Sequence, residues 1–138
     1  MRLILVLLIA MVTAAVAEPD KRPNIILIMA EDLGYGSLDC YGSKKIKTPH
    51  IDQLAKEGLT FRRGYVPSSL CCPSLATILT GKYNHLNGFV NNTNTQFDGS
   101  QPTFPQILQK AGYQTAMIGK WHLNSDPTGF DFWQILPG

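Results

Sequence analysis

A short, continuous apolar run, Asn24-Ile25-Ile26-Leu27-Ile28-Met29-Ala30, stops abruptly on Glu31-Asp32-Leu33-Gly34-Tyr35-Gly36. Its length and β-branched content suit a central parallel strand buried on both faces. Such strands belong to sheets covered by helices, so this one feature points to an α/β fold. It also locates a site. Glu31 and Asp32 would stand at the C-terminal end of the strand, the edge where open α/β sheets bind ligands.

The remaining pattern agrees with a βαβ plan. Residues 48–58 combine Thr48 as N-cap, Pro49 at the first helical position and a terminal Gly58, with Ile51, Leu54 and Ala55 on one face. Residues 59–66 have the periodicity of a half-buried edge strand. Residues 68–72 read as a loop leading into a helix over 73–81, with Pro73 near its start and Gly81 past its end. Residues 84–102 are rich in Asn, Thr, Gly and Ser and read as a long surface loop. A helix over 103–111, closed by Gly112, would turn Phe104, Ile107 and Leu108 inward. A buried strand over 114–119 would then place Lys120-Trp121-His122 at its C-terminal end. No internal repeat is present.

The N-terminus reads as a targeting segment. Arg2 precedes an apolar run, and Ala15-Val16-Ala17 supplies the small-x-small pattern of signal peptidase, so residues 1–17 are expected to be removed on export. The run is too short for a stable membrane span. Residues 18–23 form a polar linker, and 24–138 form the folded part. The expected location is secreted or periplasmic, or lysosomal in a eukaryote. A net charge of +2 over the 138 residues gives no field that points to nucleic acid or an anionic membrane. Three cysteines, Cys40, Cys71 and Cys72, are an odd number for an exported chain, and the adjacent pair cannot bridge without strain.

Polar chemistry gathers at three separated places. Glu31 and Asp32 are hard oxygen donors suited to Ca²⁺ or Mg²⁺. Cys71 lies at a helix start, where backbone N–H groups and the macrodipole favour an anion and lower a thiol pKa. Lys120 and His122 are two residues apart, so in a strand they share a face and could neutralise an oxyanion and protonate a leaving group. An acidic pair, a thiol, an amine and an imidazole together suit a metal-assisted, anion-handling centre.

These segments in this order resemble type I sulfatases. The opening Arg22-Pro23-Asn24-Ile25-Ile26-Leu27-Ile28 with Glu31-Asp32-Leu33-Gly34-Tyr35-Gly36 and Cys40-Tyr41-Gly42 is similar to the start of that family, and Thr48 to Ala55 to its next helix. Cys71-Cys72-Pro73-Ser74-Leu75 and Leu79-Thr80-Gly81-Lys82 resemble its Cys-x-Pro-Ser-Arg signature and Leu-Thr-Gly ending. Gly119-Lys120-Trp121-His122-Leu123 resembles its second signature, and Gly129-Phe130-Asp131 is a further shared piece. The resemblance implies an alkaline-phosphatase-like α/β/α sandwich with a mostly parallel sheet, of which this chain is the N-terminal portion. It implies a sulfuric ester hydrolase in which Cys71 is oxidised to formylglycine by a formylglycine-generating or anaerobic maturation enzyme. The hydrated aldehyde would attack the sulfur of a sulfate ester. Glu31, Asp32 and residue 71 would face Ca²⁺, and Lys120 and His122 would contact sulfate. The substrate is expected to be a sulfated carbohydrate, as in glucosamine-6-sulfatase-type enzymes, or an aryl sulfate.

Three departures bear on that expectation. Leu75 stands where the family has Arg, replacing a permanent cation with an apolar side chain. Glu31 stands where the family usually has Asp, a change that a flexible Ca²⁺ shell absorbs. The family's remaining calcium and sulfate ligands are expected beyond Gly138, so residues 18–138 alone are expected to be inactive. Leu75 also leaves open a pseudosulfatase that binds sulfated glycans without cleaving them. A phosphatase or phosphodiesterase of the same superfamily is disfavoured, because those use Ser or Thr as nucleophile.

Overall fold

The computed structural model describes residues 22–93 and 96–136. The signal segment over 1–17 and most of the 18–23 linker lie outside the described residues. Two units are present, Met1–Ala30 and Glu31–Gly138. In the first, residues 23–30 form no strand and their apolar side chains are exposed, Ile26 and Ile28 each at 82%. A strand buried on both faces needs a neighbour on each edge. Among the described residues the only strands are two others, which pair with each other.

The second unit begins with two single 3₁₀ turns, Tyr35–Ser37 and Asp39–Tyr41. Helix α1, Pro49–Glu57, follows with Pro49 in its first turn and Gly58 at its end, as the sequence leads one to expect. Its apolar face is exposed, however, with Ile51 and Leu54 both open to solvent. Residues 59–66 form no strand, and Leu59, Phe61, Tyr65 and Val66 are all exposed. Amphipathic periodicity marks a face that is able to be buried, and it does not supply the surface to bury it against.

Helix α2, Cys71–Thr80, starts two residues before the expected boundary, so Cys71 and Cys72 belong to its first turn and not to a loop. Pro73 is tolerated there because the first N–H groups of a helix have no intrahelical acceptor. Gly81 ends it in the left-handed conformation at φ 66°, which a Cβ would disfavour. The stretch expected to be a plain surface loop carries a short helix α3, Asn84–Asn87, and two buried aromatic residues, Phe89 and Phe97. Buried Asn87 braces it: its Nδ2 donates to Lys82 O at 3.1 Å and its Oδ1 accepts from Phe89 N at 2.9 Å. Polar composition is a local signal, and it masked these two apolar anchors.

Helix α4, Phe104–Lys110, is entered through Thr103, whose N–H donates to Gln106 Oε1 at 3.1 Å. Phe104 packs on the core and Leu108 is half-buried, but Ile107 is exposed, contrary to expectation. Strand β1, Ala116–Lys120, pairs in parallel with β2, Phe132–Leu136, in the register Ala116 with Phe132 through Lys120 with Leu136. Strand β2 is an element the sequence pattern did not reveal. Nor is β1 fully buried, since Ile118 is exposed. The start of the pair is clamped by Asp131, which accepts from Thr115 N at 2.7 Å, Thr115 Oγ1 at 3.1 Å and Gln109 Nε2 at 2.9 Å.

The core lies between α2 and the segment leaving β1. Cys72, Leu75, Ala76 and Leu79 from α2 meet Phe89, Phe97, Trp121 and Leu123, with Phe104, Met117, Phe130 and Ile135 around them. Trp121 meets Phe130 edge to face, ring centroids 6.0 Å apart, and its indole N–H donates to Ser125 O at 2.6 Å. Burial of α2 on this cluster fixes which way its first turn faces. No helix among the described residues is long and apolar enough to cross a membrane.

Candidate active site

Adjacent residues at the start of α2 have opposite fates because successive helical side chains diverge by about 100°. Cys72 enters the core at 1% exposure, and desolvation pushes its thiol pKa up. Cys71 faces the other way, toward Glu31 and Lys120. All three cysteines are free thiols.

Glu31 is the hub of the site. Its Oε1 accepts from Lys120 Nζ at 2.7 Å, a contact spanning most of the unit's sequence. The Cys71 thiol beside it, first, and then Lys120 hold the Glu31 carboxyl below its ordinary range. His122 adds a weaker electrostatic contribution. The same bond to Glu31 raises the Lys120 pKa. The Cys71 pKa is raised as well, first by its hydrogen bond to Glu31, then by burial and the Glu31 charge. This reverses the expectation that the helix start would lower it. A carboxylate within hydrogen-bonding reach outweighs the partial charge of a helix terminus. With its thiol held protonated at neutral pH, unmodified Cys71 is a poor nucleophile.

The five residues singled out from the sequence are Glu31, Asp32, Cys71, Lys120 and His122. Glu31 and Lys120 are joined by a hydrogen bond, the Cys71 thiol lies beside Glu31, and Asp32 and His122 act on them through their fields. Lys120 and His122 do not share a strand face, because β1 ends at Lys120 and His122 takes φ 53°. Asp32 is likewise left-handed at φ 57°. Non-glycine residues in that region cost free energy and tend to mark functional sites. The His122 Nδ1 is buried with no hydrogen-bond partner among the described residues.

Two residues that support the site went unrecognised in the sequence. Leu70 stands at the N-cap of α2 and offers no acceptor, so the Cys72 N–H is taken by Asn92 Oδ1 at 3.3 Å. Asn84 Nδ2 donates to Pro73 O at 2.7 Å and to Phe89 O at 2.9 Å, tying the first turn of α2 to the following segment. An apolar residue at an N-cap was the available signal that a remote cap had to exist.

Glu31 and Asp32 fit a hard divalent cation by donor chemistry, but only as part of a shell. Calcium takes six to eight oxygen ligands. Among the described residues no group of three or more His, Cys, Asp and Glu side chains converges on one point.

The sulfatase family model matches residues 23–134. The chain belongs to the sulfatase family. It is 54% identical over 121 residues to the N-acetylglucosamine-6-O-sulfatase of Bacteroides thetaiotaomicron, covering 88% of this chain and 22% of that one. Human arylsulfatase H is 46% identical over 115 residues, covering 75% of this chain and 20% of that one. A solved structure of a protein in complex with its substrate, D-glucosamine-2-N,6-O-disulfate, superposes with a TM-score of 0.83 at 54% identity. That match covers 86% of this chain and 24% of the other. The chain thus spans about a fifth of the length of the curated relatives it matches. The α/β class and the sulfatase, alkaline-phosphatase-like fold follow from these matches.

Proposed function

We propose that the protein carrying this chain hydrolyses sulfate esters of a sulfated carbohydrate, glucosamine 6-sulfate being the leading candidate, with aryl sulfates as the alternative substrates. The observation that carries the reading is the Glu31–Lys120 ion pair with the Cys71 thiol beside it, which brings together three distant segments, among them the start of α2 and the end of β1. Oxidised to formylglycine, residue 71 would supply the nucleophile that its thiol, held protonated by Glu31, does not. Glu31 and Asp32 would hold Ca²⁺, which polarises sulfate oxygens when bound. Lys120, a cation held protonated beside the reacting position, would bind and orient the sulfate. His122 would bind the sulfate and offer a proton at the leaving group. The backbone N–H groups at the start of α2 add positive potential toward the same anion.

Residues 18–138 by themselves are expected not to turn over a sulfate ester, since two carboxylates fall short of a calcium shell. Export directed by residues 1–17 fits a secreted or periplasmic enzyme acting on extracellular polysaccharide. The test is co-expression with a maturation enzyme and mass spectrometry of the Cys71 peptide, alongside sulfate release from glucosamine 6-sulfate. Loss of sulfur to an aldehyde, with turnover abolished by Lys120→Ala, is the expected result. An unconverted thiol and no turnover would overturn the proposal.

One observation favours a second reading. Leu75 occupies the position where the sulfatase resemblance expects Arg, one turn after Cys71, and its apolar side chain is 8% exposed within the hydrophobic core and supplies no cation to the Cys71 cluster. A pseudosulfatase that binds sulfated glycans without cleaving them would show retained binding with Cys71 still a thiol.

A further inference from the structure

Residues 39–62 form an open concavity of about 400 Å³, within the range of small-ligand sites. It is lined by Asp39, Cys40, Asp52, Lys56, Thr60 and Arg62, none of which belongs to the Cys71 site. The carboxylates in its wall are already engaged. Asp39 Oδ2 accepts from Lys47 Nζ at 3.2 Å. Asp52 Oδ1 accepts from Cys40 N at 2.9 Å and Thr48 Oγ1 at 3.0 Å. The Thr60 hydroxyl donates to Ala55 O at 3.1 Å. Lys56 and Arg62 are therefore the lining charges with no ion pair or hydrogen bond among the described residues.

The surroundings carry the same sign. Lys44, Lys45, Lys47, Lys56, Arg62 and Arg63 supply half of the chain's 12 Lys and Arg, and all six are exposed. An exposed guanidinium and ammonium at one concavity suit an oxyanion on a ligand: Arg presents a planar fork and Lys a point charge. Asp39, Asp52 and Glu57 stand among these six cations, so residues 39–63 carry a net charge of +3.

We propose that this cavity is a second binding site for sulfate groups of a sulfated polysaccharide, engaging a stretch of polymer away from Cys71. The choice of polymer rests on the proposed sulfatase activity; the anion preference rests on Lys56 and Arg62. Holding the chain at a second point would raise the local concentration of sulfate esters at the Cys71 site.

The Cys40 thiol in the cavity wall provides the readout. The full chain, expressed without a maturation enzyme so that Cys71 stays a thiol, is alkylated with iodoacetamide and both cysteines are followed by peptide mass spectrometry. A heparin-type sulfated oligosaccharide is expected to slow alkylation of Cys40 about tenfold at low ionic strength and to lose that effect near 1 M salt, where screening is nearly complete. Its desulfated counterpart and inorganic sulfate are expected to protect little. Lys56→Ala with Arg62→Ala should abolish protection and weaken binding measured by calorimetry about tenfold, through loss of two charge-assisted contacts. Lys110→Ala, an exposed cation elsewhere, should change neither. A ligand that protects Cys71 and leaves Cys40 unprotected would overturn this site and leave the catalytic reading standing. Cys40 protection without Cys71 protection would count against sulfate binding beside Cys71 and leave this site standing. Equal protection by inorganic sulfate, or unchanged affinity in the double variant, would also overturn it.

Discussion

Leu75→Arg supplies the residue that the sulfatase resemblance leads one to expect at this position, and the structure sets what that should do to stability. Leu75 is 8% exposed and packs with Cys72, Ala76, Leu79 and Trp121. Removing a buried Leu side chain forfeits about 1.5–3 kcal/mol of transfer free energy. Forcing the longer Arg into that space adds about 1–3 kcal/mol of overpacking unless the side chain escapes. An escape route exists. Residue 75 lies one turn after Cys71 on the same face of α2, and helical side chains lean toward the N-terminus. An Arg there could run back toward Cys71 and Glu31, but a half-exposed pair with Glu31 would return about 1 kcal/mol at most. The net expectation is a loss of about 2–4 kcal/mol, or a Tm lower by roughly 10 °C for a chain of this size. Thermal and urea unfolding of the full chain measure it, with Leu75→Met as the volume-matched control expected to cost less than about 1.5 kcal/mol. A Leu75→Arg protein within about 0.5 kcal/mol of the parent, the range of an ordinary surface change, would show that position 75 is not a core anchor.

Other sites give equally direct tests. Asp131 is held below its ordinary carboxylate value first by the Thr115 N–H, so its clamp stabilises the fold above the unfolded value of 3.8 and is lost as pH falls through the lower folded value. Asp131→Asn should flatten that acid limb in urea midpoints measured against pH, while an unchanged limb would assign the acid sensitivity elsewhere. Gly129 has φ +83°, and a Cβ there would lie 2.7 Å from Gln106 Cγ and 2.8 Å from Gln106 N. Gly129→Ala should therefore cost about 1–3 kcal/mol by calorimetric unfolding, and a neutral result would rule out the close approach. Asn92→Ala should lose about 1 kcal/mol by uncapping the Cys72 N–H, with Asn92→Asp retaining most of the stability.

Much of the site was readable because its chemistry is tied to residue type. Acids at 31 and 32, a thiol at 71, an amine at 120 and an imidazole at 122 keep their character wherever the chain places them. Helices α1, α2 and α4 were also legible, since Pro at the start and Gly at the end act through local backbone geometry. The strands at 24–30 and 59–66 were not decided that way. A strand exists only through its ladder partners, and periodicity reports a capacity for burial without naming the neighbour.

Tertiary structure alone decided several matters. It put Cys72 in the core and Cys71 beside Glu31, a separation set by the packing of α2 against Phe89, Phe97 and Leu123. It raised the Cys71 pKa where the helix start by itself would have lowered it. It also brought Asn92 to a helix whose own N-cap residue could not serve. Each of these is a long-range encounter, and a linear pattern carries only the short-range half of the free energy.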